Sequence, residues 1–529
     1  MVRERLAPRI EKKPGPTYRR FFGGALAVVV AGLLLQTTTV PAVEGPSSKA
    51  KLLMGAATAD ITPELPAALT GFQTVRIART IQSPLTANVL ALESRQGERT
   101  VDQAILVSCD LCVIRPGIQE EFRKHVAVRL PGFDVGKLFL AATHTHSAPV
   151  LKQDQYDEEQ YGDATQPKDY LPFLYDRMAE AVVRAWDGRS PGAVAWGLGH
   201  AVVGHNRRVV YADGHAQMLG KTNDAKFRHV EGYEDHAVDV LGFYDDQRQL
   251  KAAAISLAGT AQMSQGEGVV SADFWHDARE RLRQRYGKGL CVLGFSAPAG
   301  DQCPHLSYRK KGEARMDRLR GLSRTQELGR RIAEAFFDVA DVMAKDVRTD
   351  VPLVHLVRQV DLPQQIITEA EYAIARKVCA DVDAKNERKG WDTWVRRLYG
   401  GVCQRYVAQQ QGDRSYRLEM HVLRLGDVAI ATNPFELYVD YGVQIQARSP
   451  ADQTFLIQLA SPLDDAYYVP TPRAVAAGRF SEKVMDNYSA TVMTNIVGPE
   501  GPQVLVDRTV ETIAALWRAP PGPSAAPSR

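Results

Sequence analysis

The chain has 529 residues, of which 45% are hydrophobic and 24% are charged, a composition typical of a soluble globular protein with a large core. The formal net charge is only +3, and the sequence has no basic stripe interleaved with aromatic residues and no zinc-finger cysteine spacing. We therefore expect no nucleic-acid partner.

The N-terminal segment has the parts of an export signal. Residues 1–20 are rich in arginine and lysine, residues 21–35 are apolar and uncharged, and small residues follow. The apolar run is shorter than the roughly 20 residues that span a bilayer, although counted on through Val43 it would serve as an uncleaved anchor. We expect residues 1–43 to be a signal peptide or N-terminal membrane anchor. The protein is then exported, to the periplasm or the extracellular space, or associates with a membrane through this segment.

Residues 50–518 contain no low-complexity break and no internal repeat, which predicts one large domain, and the Pro/Ser/Ala-rich residues 519–529 predict a disordered tail. Apolar runs of strand length alternate with amphipathic helical stretches, which predicts an α/β fold with a mixed or mostly parallel sheet covered by helices. The strand-like runs are 104–108, 137–143, 252–258, 290–296, 428–432 and 454–460. Residues 366–410 predict a helical hairpin.

Polar side chains follow the predicted strands. These are Asp110, His144, His146, Gln262, Asp301, Glu436 and Tyr468. Because ligands bind beyond the carboxyl ends of strands in α/β sheets, these groups converge on one pocket if the strands are parallel neighbours.

The two histidines of Thr-His-Thr-His-Ser are the sharpest local feature. His144 and His146 are two residues apart, so on an extended chain they point the same way. One ligates a metal while the other contacts the substrate, or both ligate; alternatively both only form hydrogen bonds in a loop. Zinc accepts imidazole and carboxylate ligands, and a catalytic zinc keeps one position open for water.

The other candidates each have two interpretations. Glu436 is a metal ligand or a carboxylate placed at the start of a helix. Asp110 orients a histidine or caps a strand end. Arg207 clamps a carboxylate or carbonyl oxygen, or is surface charge. The turn at Gly300 and Asp301 brings a backbone N–H to an oxyanion or caps the following segment.

The chain has six cysteines. Export permits disulfides, and Cys379 with Cys403 and Cys291 with Cys303 are candidate pairs, although the sequence alone does not determine the connectivity. Cys109 and Cys112 have no second C-x-x-C pair to complete a zinc site. We expect them to be partly buried thiols at a strand end.

Many segments between residues 54 and 518 together carry a resemblance. They include MGAATADITPELPAALTGF, LFLAATHTHSAP, HNRR, VVSADFWHDARERL, FSAPAGDQCP, NPFELYVDYGVQIQARS and YYVPTPRAVAAGRF. In order and spacing they resemble the catalytic domain of the neutral/alkaline (non-lysosomal) ceramidase superfamily. The resemblance is to shorter bacterial relatives that have no C-terminal immunoglobulin-like domain.

The resemblance implies a zinc ion held by two histidines, a glutamate and a tyrosine, where an amide is hydrolysed. Carried over by motif, His144, Glu436 and Tyr468 are metal ligands, His146 faces the substrate, and Arg207 is the arginine that follows the family's asparagine. The implied function is an exported zinc-dependent hydrolase of an N-acyl sphingolipid-like amide, or of an ester, with a small-molecule or lipid substrate. His146 and Tyr468 then assist proton transfer or stabilise an oxyanion, and Arg207 positions the substrate.

Three positions depart from that pattern. Ala258 or Gly259 stands where the second metal histidine is expected. Ala297 stands at the position of the family's serine, with Ser296 one residue earlier and turned away. Phe480 stands where a tyrosine is expected.

Losing one ligand weakens metal binding, because affinity depends on the number and identity of the ligands. Gln262, Glu267, His276 or a water molecule are the candidates to fill the position. The alternative function is a degenerate, non-catalytic binding protein of the same fold. A further alternative is an enzyme that uses a different metal.

Overall fold

The computed structural model describes residues 50–387, 389–485 and 488–518. The predicted signal or anchor, residues 1–43, and the predicted tail, residues 519–529, lie outside these ranges. Within them, no helix is both long enough and apolar enough to cross a bilayer.

The described residues form strands and helices throughout. The strands are β1 (Lys51–Asp60), β2 (Ala67–Leu69), β3 (Arg76–Ala78), β4 (Thr86–Gln96), β5 (Arg99–Cys109), β6 (Leu138–Ala142), β7 (Ser190–Pro191), β8 (Ala193–His200), β9 (His205–Asn206), β10 (Arg208–Tyr211), β11 (Ala216–Met218), β12 (Phe227–Val230), β13 (Ala237–Tyr244), β14 (Leu250–Leu257), β15 (Cys291–Ser296), β16 (Gln302–Cys303), β17 (Leu353–Pro363), β18 (Ser415–Leu425), β19 (Val428–Thr432), β20 (Glu436–Leu437), β21 (Gln453–Ile457) and β22 (Tyr468–Val469). The α-helices are α1 (Ile118–Arg129), α2 (Pro167–Asp187), α3 (Phe274–Tyr286), α4 (Lys310–Arg320), α5 (Arg324–Met343), α6 (Glu369–Asp383), α7 (Gly390–Gln410), α8 (Val439–Arg448), α9 (Pro472–Ala476) and α10 (Gly501–Trp517).

Three larger sheets organise the fold, with strand orders β6-β5-β4-β1-β7, β15-β14-β13-β8 and β17-β18-β19-β21. Each has one parallel pair at its edge, namely β5–β6, β14–β15 and β19–β21. The other neighbouring strands in these sheets are antiparallel. The predicted α/β class is confirmed, and of the two predicted sheet types the mixed one is present. The strands are distributed among several mixed sheets. Most consecutive strands are joined by connections that are too short for the helical crossover that a parallel pair requires, so most pairs are antiparallel.

The three sheets share one buried core. Leu106 and Phe139 of the first sheet, Leu293 of the second, and Leu423 and Phe455 of the third belong to the same apolar cluster. Helices cover the outer faces: α1 and α2 lie on the first sheet, α3 and α5 on the second, and α8 and α10 on the third. Because these strands are buried on both faces, they read in the sequence as continuous apolar runs.

The carboxyl ends of the three parallel pairs meet at one place. The backbone N–H of Ala142, at the end of β6, donates to the carbonyl of Leu459 at 3.2 Å, just beyond β21. The N–H of Gln458 donates to the carbonyl of Ser296 at 3.0 Å, at the end of β15. The residues that follow these strands are therefore neighbours in space, as the strand-end argument predicted.

The predicted helical hairpin is present as α6 and α7. Thr368 and Glu371 form a capping box at the start of α6, where the Thr368 hydroxyl accepts from the N–H of Glu371 and the Glu371 carboxylate accepts from the N–H of Thr368. The two helices share an apolar core with residues from the segment that follows β22. The Tyr399 hydroxyl donates to the carbonyl of Ser481 at 2.6 Å, and this hydrogen bond joins α7 to the segment that follows β22.

All six cysteines are free thiols in the structure. Cys109 and Cys112 are buried, as predicted. The suggested pairing of Cys291 with Cys303 is wrong: the Cys291 thiol lies 3.7 Å from the carbonyl of Val89, whereas Cys303 is on β16 and faces His305. Cys379 and Cys403 lie side by side in the core of the α6–α7 hairpin as free thiols.

Candidate functional site

The structure brings five of the predicted site residues together in one buried place. His144 follows β6, and Glu436 and Tyr468 lie directly opposite each other in the parallel pair of β20 and β22. His144 Nε2 lies 3.6 Å from Glu436 Oε2. Arg207 Nη2 lies 3.4 Å from the same carboxylate oxygen and 3.5 Å from the Tyr468 hydroxyl. His146 completes the group, with its Nε2 atom 3.3 Å from His144 Nε2.

The backbone holds His144 in an unusual conformation. Its φ is 66°, a left-handed value that is uncommon for a residue with a side chain and that costs free energy. Its Nδ1 atom lies 2.6 Å from the carbonyl oxygen of Cys112. Because a carbonyl only accepts, Nδ1 carries the proton, and the contact aims Nε2 into the site, an arrangement common for metal-ligating histidines.

Burial lowers the pKa of His144, but the adjacent Cys112 and Glu436 outweigh it and raise the pKa to about 10. Burial likewise raises the pKa of Glu436, but His144 and Arg207 outweigh it, so this pKa lies below its usual value. With no metal bound, His144 and Glu436 are therefore an imidazolium and a carboxylate. A metal at His144 must displace a proton, so its binding weakens as the pH falls.

His146 is held as a neutral imidazole. Burial lowers its pKa well below the usual value, and the charges of His144 and Arg76 add to this. The side-chain N–H of Gln262 donates to His146 Nε2 at 2.7 Å, and the Thr260 hydroxyl donates to the other end of the same amide at 2.9 Å. These contacts fix the ring and occupy its Nε2 lone pair.

The residue behind the His146 ring has to be glycine. Gly71 has a φ of +87°, and a Cβ there would lie 2.5 Å from His146 Cγ. Arg76 donates to the His146 carbonyl at 2.7 Å and anchors the backbone on the same side. The sequence analysis did not identify Gly71, Thr260 or Arg76. Thr260 follows the predicted strand 252–258, whereas Gly71 and Arg76 are near none of the predicted strands.

Of the three candidates to replace the missing histidine, Gln262 reaches the site. Glu267 instead accepts from Gln82 in an exposed contact, and His276 lies on α3. Gln262 contacts His146 rather than His144, so it supports the ring that faces the substrate in the resemblance.

Two of the departures from the ceramidase pattern are neighbours in space. Ala258 and Ala297 pack together with Ala299 in a small buried apolar cluster. The backbone N–H of Ala297 donates to the carbonyl of Leu257 at 2.9 Å, so the two chain segments are in direct contact. The Ser296 hydroxyl lies 3.3 Å from the carbonyl of Gly259 and bonds inward, as expected for a residue turned away from the site.

The structure changes the interpretation of the third departure, which is Phe480 at the position of an expected tyrosine. Phe480 packs on Tyr399 of the hairpin, with ring centroids 5.6 Å apart, and is not beside Tyr468. Tyr488 packs there instead, with its ring centroid 5.9 Å from that of Tyr468. Tyr488 was not predicted from the sequence, because the resemblance pointed to position 480 and Tyr488 lies farther along the chain from Tyr468.

Asp110 contacts no histidine of the site. Its carboxylate accepts two bonds from Arg279, at 2.7 and 3.1 Å, and further bonds from the N–H of Thr86 and the hydroxyl of Thr143. Of its two interpretations, the contacts favour a strand-end cap.

The turn at Gly300 and Asp301 positions Arg207. The guanidinium of Arg207 donates to the Gly300 carbonyl at 2.8 Å. The Asp301 carboxylate accepts from the N–H of Val439, at the start of α8, and from the side chain of Asn206. Burial raises the pKa of Asp301 to about 6.

The donor set has the chemistry of a metal site. An imidazole nitrogen, a carboxylate and a phenol from His144, Glu436 and Tyr468 face one place, and three protein donors with an open position are typical of catalytic zinc. Among the described residues, Cys112, His144 and His146 also present ligand atoms within 4.8 Å of one another. Both sets share His144.

Comparison with known proteins finds the same fold. No protein-family model matches the chain, and no curated protein does. The neutral ceramidase of Pseudomonas aeruginosa is 17% identical over 90% of this chain and 76% of that one, with a TM-score of 0.62. A ceramidase structure complexed with C2 is 18% identical over 90% of this chain and 77% of that one, with a TM-score of 0.63. The chain therefore has the neutral ceramidase fold, as its motifs predicted.

Proposed function

We propose that the protein is an exported metal-dependent hydrolase that cleaves the amide bond of an N-acyl, sphingolipid-like molecule or a related ester. One observation carries the proposal: His144, Glu436 and Tyr468 come from the segments that follow β6, β19 and β21, and they face the same buried place beside Arg207. Its fold neighbours are ceramidases, which makes an N-acyl lipid the first substrate class to assay.

His144, Glu436 and Tyr468 would hold the metal. A zinc ion in such a site supplies a nucleophilic water at neutral pH and polarises the carbonyl of the substrate. The low pKa of Glu436 keeps that carboxylate ionised, and the carbonyl of Cys112 fixes the tautomer of His144.

The remaining residues act on the substrate. His146 is a neutral imidazole whose Nε2 accepts from Gln262 at rest, so it can take up a proton there and return it during cleavage only when that N–H gives way to the proton. Arg207 is buried and charged, and its guanidinium is placed to donate to a carbonyl oxygen as negative charge develops there. Gln262 keeps the His146 ring in place for this exchange.

The proposal is tested with His144→Ala and purified full-length protein. We expect the wild-type protein to retain or take up zinc and to hydrolyse N-acyl substrates. The variant should lose the metal and at least about 100-fold in kcat/KM, because His144 is the residue shared by both donor sets. His229→Ala, which changes an exposed histidine on β12, is the matched control and should keep both metal and activity. An unchanged rate for His144→Ala removes this residue from the mechanism.

The second candidate is a non-catalytic binding protein of the same fold, and the alanine cluster favours it. Ala258 or Gly259 stands where the resemblance expects a metal-ligand histidine, and Ala297 stands where it expects a serine. Ala258 and Ala297 pack together with Ala299. This candidate predicts that no metal is retained and that added zinc neither raises the melting temperature nor permits hydrolysis. Stabilisation by an N-acyl lipid without turnover would then support it. Metal analysis also reveals a site that binds a metal other than zinc.

A further inference from the structure

Helix α4 contacts α5 through its two acidic residues and through Arg320, which forms an ion pair of 3.2 Å with Glu327. None of its residues from Lys310 to Arg320 is buried. Glu313 forms ion pairs of 2.7 Å with both Arg324 and Arg331 of α5, and Asp317 lies 3.6 Å from Arg324. Both acidic residues of the helix therefore face inward and are neutralised there.

The opposite side of α4 is basic and apolar. With about 3.6 residues per turn, Lys311, Arg315, Arg318 and Leu319 share one face, and all four are exposed. In the described part of the chain none of these three cations is in an ion pair. Leu319 is 65% exposed, Met316 one turn before it is 39% exposed, and Tyr308, just before the helix, is 42% exposed. This cationic face, defined by Lys311, Arg315, Arg318 and Leu319, has no acidic residue.

An isolated helix of this length is marginal in water, and most helices gain stability by burying an apolar face. The fold buries no residue of α4, so its apolar side chains stay in water. Cations interleaved with exposed apolar side chains on one helix face are typical of helices that lie in the interface of an anionic bilayer. An acidic protein would satisfy the cations but needs no exposed leucine and methionine beside them.

We propose that the cationic face of α4 binds the surface of an anionic lipid bilayer, with the cations on the headgroups and Leu319 and Met316 inserted between them. The attraction comes from each cation near the anionic surface and is screened by salt. The inference is independent of the hydrolase proposal, because it uses no residue of that site.

Vesicles of equal parts phosphatidylcholine and phosphatidylglycerol test the inference with full-length protein. We compare the wild type with the triple variant Lys311→Glu, Arg315→Glu, Arg318→Glu. The matched control, Lys168→Glu, Lys288→Glu, Lys345→Glu, makes the same change in net charge at exposed lysines elsewhere. We expect the first variant to bind about 100-fold more weakly than the wild type and the control to bind within a few-fold of it. Equal losses in both variants would show that only net charge matters and overturn the proposal.

A tryptophan placed on α4 reports membrane binding by this helix separately from any binding by the N-terminal segment. Leu319→Trp should give a blue-shifted fluorescence difference spectrum with the anionic vesicles and none with phosphatidylcholine alone. Val128→Trp, at a position on α1 that is 84% exposed, should show no shift. An unshifted spectrum for Leu319→Trp overturns the proposal even if the protein binds vesicles by another part.

Discussion

Replacing Asp239 with asparagine is expected to stabilise the protein at pH 8 and to lose most of that benefit at pH 4. Asp239 is buried on β13 and accepts a bond of 2.6 Å from the side chain of Gln453, with no cation beside it. Burial raises its pKa from 3.8 to about 7. Asparagine keeps the oxygen that accepts from Gln453 and cannot ionise.

The sign follows from proton linkage. An acid whose pKa is raised by folding binds its proton more tightly in the folded state, so its contribution to stability is fully present below pH 3.8 and is lost as the pH rises through about 7. The difference between the folded and unfolded pKa values of Asp239 corresponds to a gain for Asp239→Asn of about 4 kcal/mol in the free energy of unfolding at pH 8 and of almost none at pH 4.

Urea unfolding of the wild type and Asp239→Asn at both pH values measures the effect. Asp246→Asn, which changes an exposed side chain on the turn after β13, is the control and should shift the stability by less than about 0.5 kcal/mol. If the gain from Asp239→Asn is the same at pH 8 and pH 4, folding does not raise the pKa of Asp239 and this explanation is wrong.

The second large effect is expected at the buried ion pair between Asp110 and Arg279. Both side chains are at most 2% exposed, and two bonds of 2.7 and 3.1 Å join them. Arg279→Met removes the cation, keeps much of the volume, and leaves the Asp110 carboxylate buried with only neutral donors. We expect a loss of about 3–5 kcal/mol in the free energy of unfolding, measured by denaturant.

A double-mutant cycle with Asp110→Asn isolates the pair. The double variant should be more stable than Arg279→Met alone, because the stranded charge is then absent. Arg285→Met is the control, since Arg285 on the same helix is partly exposed and its pair with Asp341 contributes little. A loss below about 1 kcal/mol for Arg279→Met would contradict the prediction that the buried ion pair contributes strongly to stability.

This second prediction also bears on function. The sequence analysis placed Asp110 among the catalytic candidates, and that assignment stays a prediction. If Asp110 acts only as a strand-end cap, Asp110→Asn lowers stability while kcat/KM per folded molecule changes little. A large fall in kcat for the folded variant would instead indicate that Asp110 positions His144 through Thr143, whose hydroxyl it binds.

The proposed activity requires the site to function although Ala258 or Gly259 replaces the histidine, and Ala297 the serine, that the resemblance implies. A site of three protein donors is sufficient for catalytic zinc, so the missing histidine lowers affinity without excluding turnover. Because His144 has a pKa of about 10, metal must compete with a proton, and zinc binding should be measured above neutral pH as well as at pH 7.

Features that depend on short-range pattern could be predicted from the amino-acid sequence. The six predicted strands are all present in the structure, because a strand buried on both faces must be apolar along its whole length. The hairpin of α6 and α7 followed from helical periodicity, and the ceramidase fold from the order of the motifs. Even the meeting of His144, Glu436 and Tyr468 was predictable in part, because all three follow predicted strands, although those strands belong to two sheets whose carboxyl ends meet.

The contacts of individual side chains became known only from the three-dimensional structure. It showed that Asp110 pairs with Arg279, far away in the sequence, and that Gln262 supports His146. It also placed Tyr488 rather than Phe480 beside Tyr468. These contacts join residues from different sheets and loops, and their partners depend on how whole layers pack, which no local periodicity encodes. The same is true of α4, whose periodicity predicts a helix but not which of its faces remains exposed.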